Sequence, residues 1–324
     1  MTKNKLGDKL EDKISIKFTD YAINKFQRLT YGLDFRVNSK QDIIWTSLYN
    51  YKEENNKDYF KLFLIPSVEY IFDNTLWYET YPVEGRRLSI KYLNSALNKD
   101  LSSLNFNSLI FDFRYYKAIN NGVSTAFRFY GGSFGGQDIS ESVRFRVGGT
   151  SYLPFFNKAT YSHIYDVHSF DQVYYDIYVM PLRGLPIGSK YGQNVLLMNA
   201  EVRLPFLMYY FPTIGMFGKI NGVFFTDIAV IWNKNSFPDP SKDDSWDDIE
   251  SFDGYNIYPN LNNNDQISSQ DRLINPLGWA WTFGFGPRFI FLGMPWQVDC
   301  AWQYNPISKT ISSARWYLSI GLDF

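Results

Sequence analysis

Polar and apolar residues alternate along most of this chain. In Gln193–Phe206, for example, the polar side chains of Asn199, Glu201 and Arg203 alternate with apolar ones. A period of two is the period of a β-strand that has one polar and one apolar face. The same alternation returns in almost every other strand-length segment, and several of the polar faces carry full charges. The pattern therefore predicts an all-β protein.

The alternation predicts about thirteen strands, within a range of about 12 to 14. The expected strands are Ile14–Ile23, Leu29–Val37, Ile43–Tyr51, Tyr59–Asp73, Arg87–Ser95, Leu109–Lys117, Ser124–Tyr130, Ser142–Val147, Gln193–Phe206, Asn221–Trp232, Trp279–Phe291, Trp296–Tyr304 and Arg315–Phe324. Tight turns are expected at Asn38-Ser39-Lys40 and at Asn120-Asn121-Gly122. No helical period of useful length appears. Short connections between successive strands predict an antiparallel, up-and-down meander.

Two long segments interrupt the meander. Residues 148–192 are aromatic but have no sustained period, so they are interpreted as an ordered loop within a single domain that covers 1–324. Residues 233–277 contain the most hydrophilic stretch of the chain. Long loops that alternate with tight turns match the long extracellular loops and short periplasmic turns of outer-membrane barrels. We therefore expect 233–277 to be a polar extracellular loop.

The apolar rows decide between a soluble fold and a membrane barrel. A soluble β-sandwich or soluble barrel is the alternative, with polar rows in solvent and apolar rows in the core. Aromatic residues make up 19% of the chain, and so many bulky rings overfill a space about 10 Å thick between two sheets. The polar rows mix arginine with acids and small residues, which suits a membrane-barrel lumen. Barrel closure also removes exposed sheet edges. A transmembrane β-barrel in a bacterial outer membrane is favoured.

Composition excludes several other classes. The net charge of −1 over 324 residues argues against a nucleic-acid-binding surface. The single Cys300 cannot form an internal disulfide, and His163 and His168 have no thiol or acidic partner at metal-ligand spacing. No nucleophile–histidine–acid arrangement stands out, because both histidines lie in one loop. We therefore expect no enzyme activity, cofactor or metal.

No apolar run is long enough for a transmembrane helix, and the charged start of the chain lacks the apolar core of a signal peptide. A barrel in the outer membrane must first be exported. We therefore expect the chain to be a C-terminal fragment whose first strands and any upstream periplasmic domain are missing.

Five motifs, in order, resemble those of the BamA/TamA superfamily of outer-membrane barrels, the bacterial surface antigen domain. SVRFRVGG followed by PLRGL is similar to the family pattern F-x-x-G-G … R-G-(F/Y), and NAEVRLPF to N-x-E-x-R-x-P. GVFFTDIAVIW is similar to F-x-D-x-G-x-x-W, FGFGPRFIFLGMPWQVDCAW to G-x-G-x-R … P-x-x-x-D-x-A, and DNTLWYETYPVEGRRLSIKYL to an earlier hairpin. The resemblance covers roughly 70–324. Two positions depart from it: Leu185 replaces an aromatic residue and Ala229 a glycine. A complete family barrel has sixteen strands.

The resemblance implies that the long loop folds inward and presents Arg183 to acids of the barrel wall. The implied latch consists of Arg183, Gly184, Asp227, Glu201 and Asp299, with Asp227 as the foremost partner. A guanidinium in a confined lumen is stable only when paired. Around the latch, we expect a lumen charge network of Arg203, Arg128, Arg144, Arg146 and Arg288. A surface turn at Arg183-Gly184 is the alternative. Phe324 is implied as a C-terminal assembly signal.

The function implied by the resemblance is insertion of outer-membrane proteins or translocation of secreted ones, without enzymatic chemistry. Its partners would be outer-membrane lipids, unfolded outer-membrane or secreted proteins and periplasmic assembly factors, but no nucleic acid. A passive pore is one alternative, which would need charge rings at a constriction rather than an arginine latch. A barrel that anchors a fused periplasmic or surface domain is another.

Overall fold

The computed structural model consists of β-strands and their connections. It describes residues 6–43, 59–78, 81–95, 105–120, 122–136, 143–150, 175–186, 188–205, 220–233, 237–242, 246 and 277–320. Within these ranges no helix is long and apolar enough to cross a membrane.

Sixteen strands occur in the described residues. They are β1 Leu6–Asn24, β2 Gln27–Ile43, β3 Tyr59–Asp73, β4 Leu76–Tyr78, β5 Tyr81–Asn94, β6 Phe106–Asn120, β7 Val123–Gly136, β8 Val143–Val147, β9 Tyr175–Val179, β10 Lys190–Gly192, β11 Asn194–Leu204, β12 Asn221–Trp232, β13 Gly278–Phe291, β14 Met294–Asn305, β15 Thr310–Ile311 and β16 Arg315–Ile320. The predicted bounds of β3 and β12 match.

Thirteen of these strands form one sheet, the wall, in the order β1-β2-β3-β5-β6-β7-β11-β12-β13-β14, with β15 and β16 both on β14 and β4 on β5. Neighbouring strands of the wall are antiparallel, and most are also successive along the chain, so the predicted antiparallel meander is confirmed. The register places Asn199 of β11 opposite Arg128 of β7 and Asp227 of β12. Polar residues of three strands therefore meet at one level of the wall.

Burial along the wall strands is inverted relative to a soluble protein. On β11, Met198 and Val202 are each 40% exposed, whereas Asn199 and Arg203 are at most 1% exposed. Such a wall presents apolar side chains outward, where lipid would cover them, and encloses its polar row. The polar, enclosed face is called the inner face below. The fold is the predicted transmembrane barrel fold, and the β-sandwich alternative fails because its polar rows would face solvent.

A second sheet packs on the inner face. It has the order β10-β8-β9, with β8 parallel to β9. Its Phe145 lies in an apolar cluster with wall residues such as Phe134 and Leu197. The Phe145 ring sits over Gly132 of β7, where a Cβ on the glycine would approach the ring to 2.5 Å. The close approach of this sheet to the wall therefore depends on glycine at 132.

Three expectations about local structure were wrong. Val143–Val147 belongs to the second sheet and not to the wall, because its five-residue alternation suits either sheet. The loop 148–192 contains β9 and β10. No turn occurs at Asn38-Ser39-Lys40, because β2 continues through these residues and pairs with β1 and β3 on both sides. Pairing on two edges overrides the local turn propensity.

Candidate functional site

Arg183 is the centre of a buried ion-pair site on the inner face. Its backbone N–H and its Nε both donate to Asp227 Oδ2, at 3.1 and 2.9 Å, and its Nη2 donates to Asp227 Oδ1 at 2.7 Å. Its Nη1 donates to Glu201 Oε1 at 2.6 Å. The arginine side chain is 2% exposed and both carboxylates 0%. The two parallel bonds to Asp227 fix the orientation of the guanidinium as well as its charge.

The residues around Arg183 restrict the position of its guanidinium group. Its guanidinium carbon lies 3.6 Å from the ring centroid of Phe225, so the cation also faces an aromatic ring. Gly284 lies under that ring, because a Cβ there would come within 2.6 Å of Phe225 Cζ. The next residue of the loop, Gly184, has φ +95° and lies against Thr282. A left-handed φ next to a wall strand is the situation that requires glycine.

Glu201 joins the Arg183 site to a second arginine. Its Oε2 accepts from Arg203 Nε at 3.1 Å and from Nη2 at 2.9 Å, while its Oε1 serves Arg183. Arg203 also donates to the carbonyl of Pro82 at 2.8 Å and faces the ring of Tyr81. One carboxylate thus links the inward segment to the start of β5.

A further charge cluster lies on β6 and β7. Arg128 binds Asp112 through Nε and Nη2, each at 2.9 Å, and Arg114 binds the same carboxylate at 2.8 Å. Arg128 also donates to the carbonyl of Met180. Asn199 donates from Nδ2 to the carbonyl of Pro181 at 2.8 Å and to Asp227 at 2.9 Å. The segment Met180–Leu185, called the inner segment below, is therefore held by side chains of the wall.

The structure separates some residues that the sequence grouped together. Asp299, expected at the latch, forms its ion pair with Arg288 at 2.8 Å. Arg144 and Arg146 lie in the second sheet, where their guanidinium carbons face the Tyr191 ring at 4.5 and 5.2 Å. Phe324 and most of 148–174 and 243–276 lie outside the described residues.

Sequence reasoning missed several residues that hold the inner segment. Asn199 was available from the pattern, because it shares a polar row with Glu201. Tyr317 was not: its hydroxyl donates to the carbonyl of Leu185 at 2.8 Å, but tyrosine suits either face of a strand. Asp112 lies in the predicted polar row of β6, but nothing in the sequence indicates that Arg128 binds it.

The charges of the site balance one another. In the described residues no group of three or more histidine, cysteine or acidic side chains could hold a metal. Arg183, Arg203 and Arg288 face the carboxylates of Asp227, Glu201 and Asp299, so the charges balance. Desolvation of buried ion pairs offsets much of their attraction, whereas loss of one partner is strongly destabilising. The network therefore fixes one arrangement of the inner segment.

Comparison with known proteins identifies the fold. Neither a family model nor a curated protein matches this sequence. The fold and the inner face define a transmembrane antiparallel β-barrel. Among solved structures, the chain is similar to BamA from Haemophilus ducreyi lacking POTRA domains 1–3, with a TM-score of 0.56 and 10% sequence identity. The match covers 98% of this chain and 55% of that one, so this chain spans about half its length. The chain has a BamA-like barrel fold, which is not the fold of an enzyme family.

Proposed function

We propose that this protein resides in a bacterial outer membrane and helps to insert other proteins into that membrane or to translocate them across it. The observation that carries the proposal is the inner segment, whose Arg183 is bound by Asp227 and Glu201 in a fully enclosed site. A BamA-like barrel fold supports the same assignment. The partners would be outer-membrane lipids, unfolded outer-membrane or secreted proteins, and periplasmic assembly factors.

The filling of the inner face favours this role over a passive pore. An open channel needs a hydrated path lined by polar or charged groups. Here the second sheet covers part of the inner face with an apolar cluster that includes Phe145, Val147 and Leu182. Solutes cannot diffuse freely through the part of a barrel that is filled in this way. We therefore propose that the protein acts on other proteins through its wall.

The ion pairs give the inner segment one defined place, which is a useful property for a barrel that must deform and recover. Removal of one buried partner would cost about 3 to 5 kcal/mol, so alternative placements of the segment are strongly disfavoured. The wall strands can then change shape while the inner segment keeps its position. In this proposal no residue performs covalent chemistry, and no cofactor is needed.

The test is a folding assay in lipid vesicles. The protein is reconstituted, and the rate at which a small, urea-unfolded outer-membrane barrel folds into the vesicles is compared with protein-free vesicles. We expect faster folding with the intact protein and a loss of most of that gain in Arg183→Ala. Arg87→Ala is the matched control, because Arg87 lies 3.8 Å from Asp73 in a partly exposed pair.

A passive pore would give a different result. It would produce a large, steady conductance in planar bilayers, together with no acceleration of folding and no response to Arg183→Ala. A barrel that only anchors a fused domain would show neither conductance nor acceleration. Either outcome would overturn the proposal.

A further inference from the structure

The inner segment contacts wall strands in the order in which they stand in the sheet. Its first residue, Met180, accepts a hydrogen bond from Arg128 of β7. The next residue, Pro181, accepts one from Asn199 of β11 at 2.8 Å. β7 and β11 are neighbours in the wall. The segment therefore begins by crossing the strands, not by following one of them.

The same order continues to the last described strand. Arg183 binds β12 through Asp227. Gly184 lies against Thr282 of β13 and the backbone of β14, since a Cβ on it would lie 3.0 Å from the threonine and 3.4 Å from the carbonyl oxygen of residue 302. The carbonyl of Leu185 then accepts the hydroxyl of β16 residue Tyr317 at 2.8 Å. The six-residue segment thus touches six adjacent wall strands.

The inner segment is short compared with the width of the six strands that it contacts. Neighbouring strands are about 4.8 Å apart, so the six strands span about 24 Å, whereas six residues reach about 17 Å even when extended. The turn at Arg183-Gly184 shortens this reach further. The shortfall of about 7 Å is made up by the long side chains of Arg128 and Tyr317, which reach in at the two ends of the segment, and by the curvature expected of a barrel wall.

The two ends are held very differently. At β7, the Arg128 guanidinium is fixed by two bonds to the Asp112 carboxylate. At β16, the carbonyl of Leu185 accepts its hydrogen bond from a neutral group, the hydroxyl of Tyr317. Hydrogen bonds that involve charged groups are about twice as strong as neutral ones. If the wall flattens, the contact at β16 is the one that breaks first.

We propose that the inner segment is a transverse strap that sets the curvature of the wall from β7 to β16, and that the Tyr317 hydroxyl is its releasable end. Only the biological purpose of the strap rests on the proposed function, because a barrel that inserts or translocates other proteins has to deform at a defined place. Tyr317 is a positioning residue, and its release would detach β16 from the inner segment while Arg183 stays bound.

The test measures the exposure of single thiols on the inner segment. Cys300 is the one cysteine of the chain, so Cys300→Ala gives a thiol-free background. Leu185→Cys or Leu182→Cys is then introduced, because both leucines are 0% exposed. Maleimide labelling rates in lipid vesicles are compared with and without Tyr317→Phe. We expect labelling about fivefold faster at 185, the effect of one lost hydrogen bond of about 1 kcal/mol, and no change at 182.

Tyr304→Phe is the matched control, because Tyr304 packs against Trp281 at a ring distance of 5.1 Å on the outer face. It should change neither rate. An unchanged rate at 185 in Tyr317→Phe would overturn the proposal, and so would an equal increase at 185 and 182, which indicates general loosening. Labelling does not depend on insertion activity, so a failed folding assay and a failed strap are distinguishable.

A second measurement needs no change at Tyr317. The two thiol variants are labelled at rising urea concentrations below the unfolding midpoint. The strap predicts that position 185 becomes reactive at lower urea than position 182, because the end at β16 opens first. Simultaneous exposure of both positions, or earlier exposure of 182, would contradict a releasable end at Tyr317.

Discussion

The two halves of the wall hold their charges in different ways. In β1–β5, the Arg87–Asp73 pair is 3.8 Å apart with side chains 34% and 26% exposed. In β6–β16, Arg183 pairs with Asp227 at 2.7 Å, with side chains 2% and 0% exposed. The second half also binds the inner segment, and its strands β7, β11 and β12 contact the second sheet. The strands differ as well: β1 has 19 residues and β12 has 12.

This difference locates rigidity in the molecule. A partly exposed ion pair contributes about 0 to 1 kcal/mol, so it tolerates changes in strand spacing. A buried, shared network does not, because each lost partner leaves an unpaired charge away from water. We infer that β6–β16 holds a fixed curvature and that deformation of the wall concentrates in β1–β5 and at β16.

The largest expected effect comes from the centre of the network. Arg183→Ala leaves Asp227 without its bidentate partner, and we expect the free energy of unfolding to fall by about 3 to 5 kcal/mol. Arg87→Ala in the other half should cost about 1 kcal/mol or less. Urea unfolding in lipid vesicles, followed by tryptophan fluorescence, measures both. Equal losses would remove the distinction between the halves.

Gly132→Val tests the contact between the second sheet and the wall. A side chain there meets the buried Phe145 ring, which on another side packs against Phe134 at a centroid distance of 4.4 Å. We expect a loss of about 3 kcal/mol, the upper end for overpacking. Gly131→Val is the control, because its Cβ meets only the tip of Leu196 at 3.3 Å. A tolerated valine at 132 would show that the second sheet is not seated as described.

Asn199→Ala removes two donated hydrogen bonds, one to the Pro181 carbonyl and one to Asp227. We expect a loss of about 2 kcal/mol, because both acceptors remain buried. Proteolysis of the folded protein should also cut near residue 181 more rapidly. An unaltered cleavage rate would argue that Asn199 does not hold the inner segment.

The smallest effect is expected at Ser89 of β5, which donates to Glu69 at 2.7 Å in a part-buried position. Ser89→Ala should cost about 0.5 kcal/mol, the low end for a hydrogen bond whose acceptor water can reach. The same urea titration measures it. A loss as large as that of Asn199→Ala would mean that β1–β5 is held as tightly as β6–β16.

Sequence periodicity predicts the wall because each wall strand has two chemically different faces. The polar row of Asn199, Glu201 and Arg203 and the bounds of β3 and β12 follow from it directly. Periodicity cannot distinguish a wall strand from a strand of the second sheet, so Arg144 and Arg146 were assigned to the wrong sheet. It also cannot pair residues across the lumen, and the Arg183 partners came only from a family resemblance.

Hydrogen–deuterium exchange in lipid vesicles tests the central claim most directly, by comparing the intact protein with Arg183→Ala. If the inner segment sets the curvature of one half of the wall, amides of β7 and β11–β16 should exchange faster in the variant, while those of β1–β5 keep their rates. Uniform acceleration across all strands, or acceleration confined to the inner segment itself, would contradict the account.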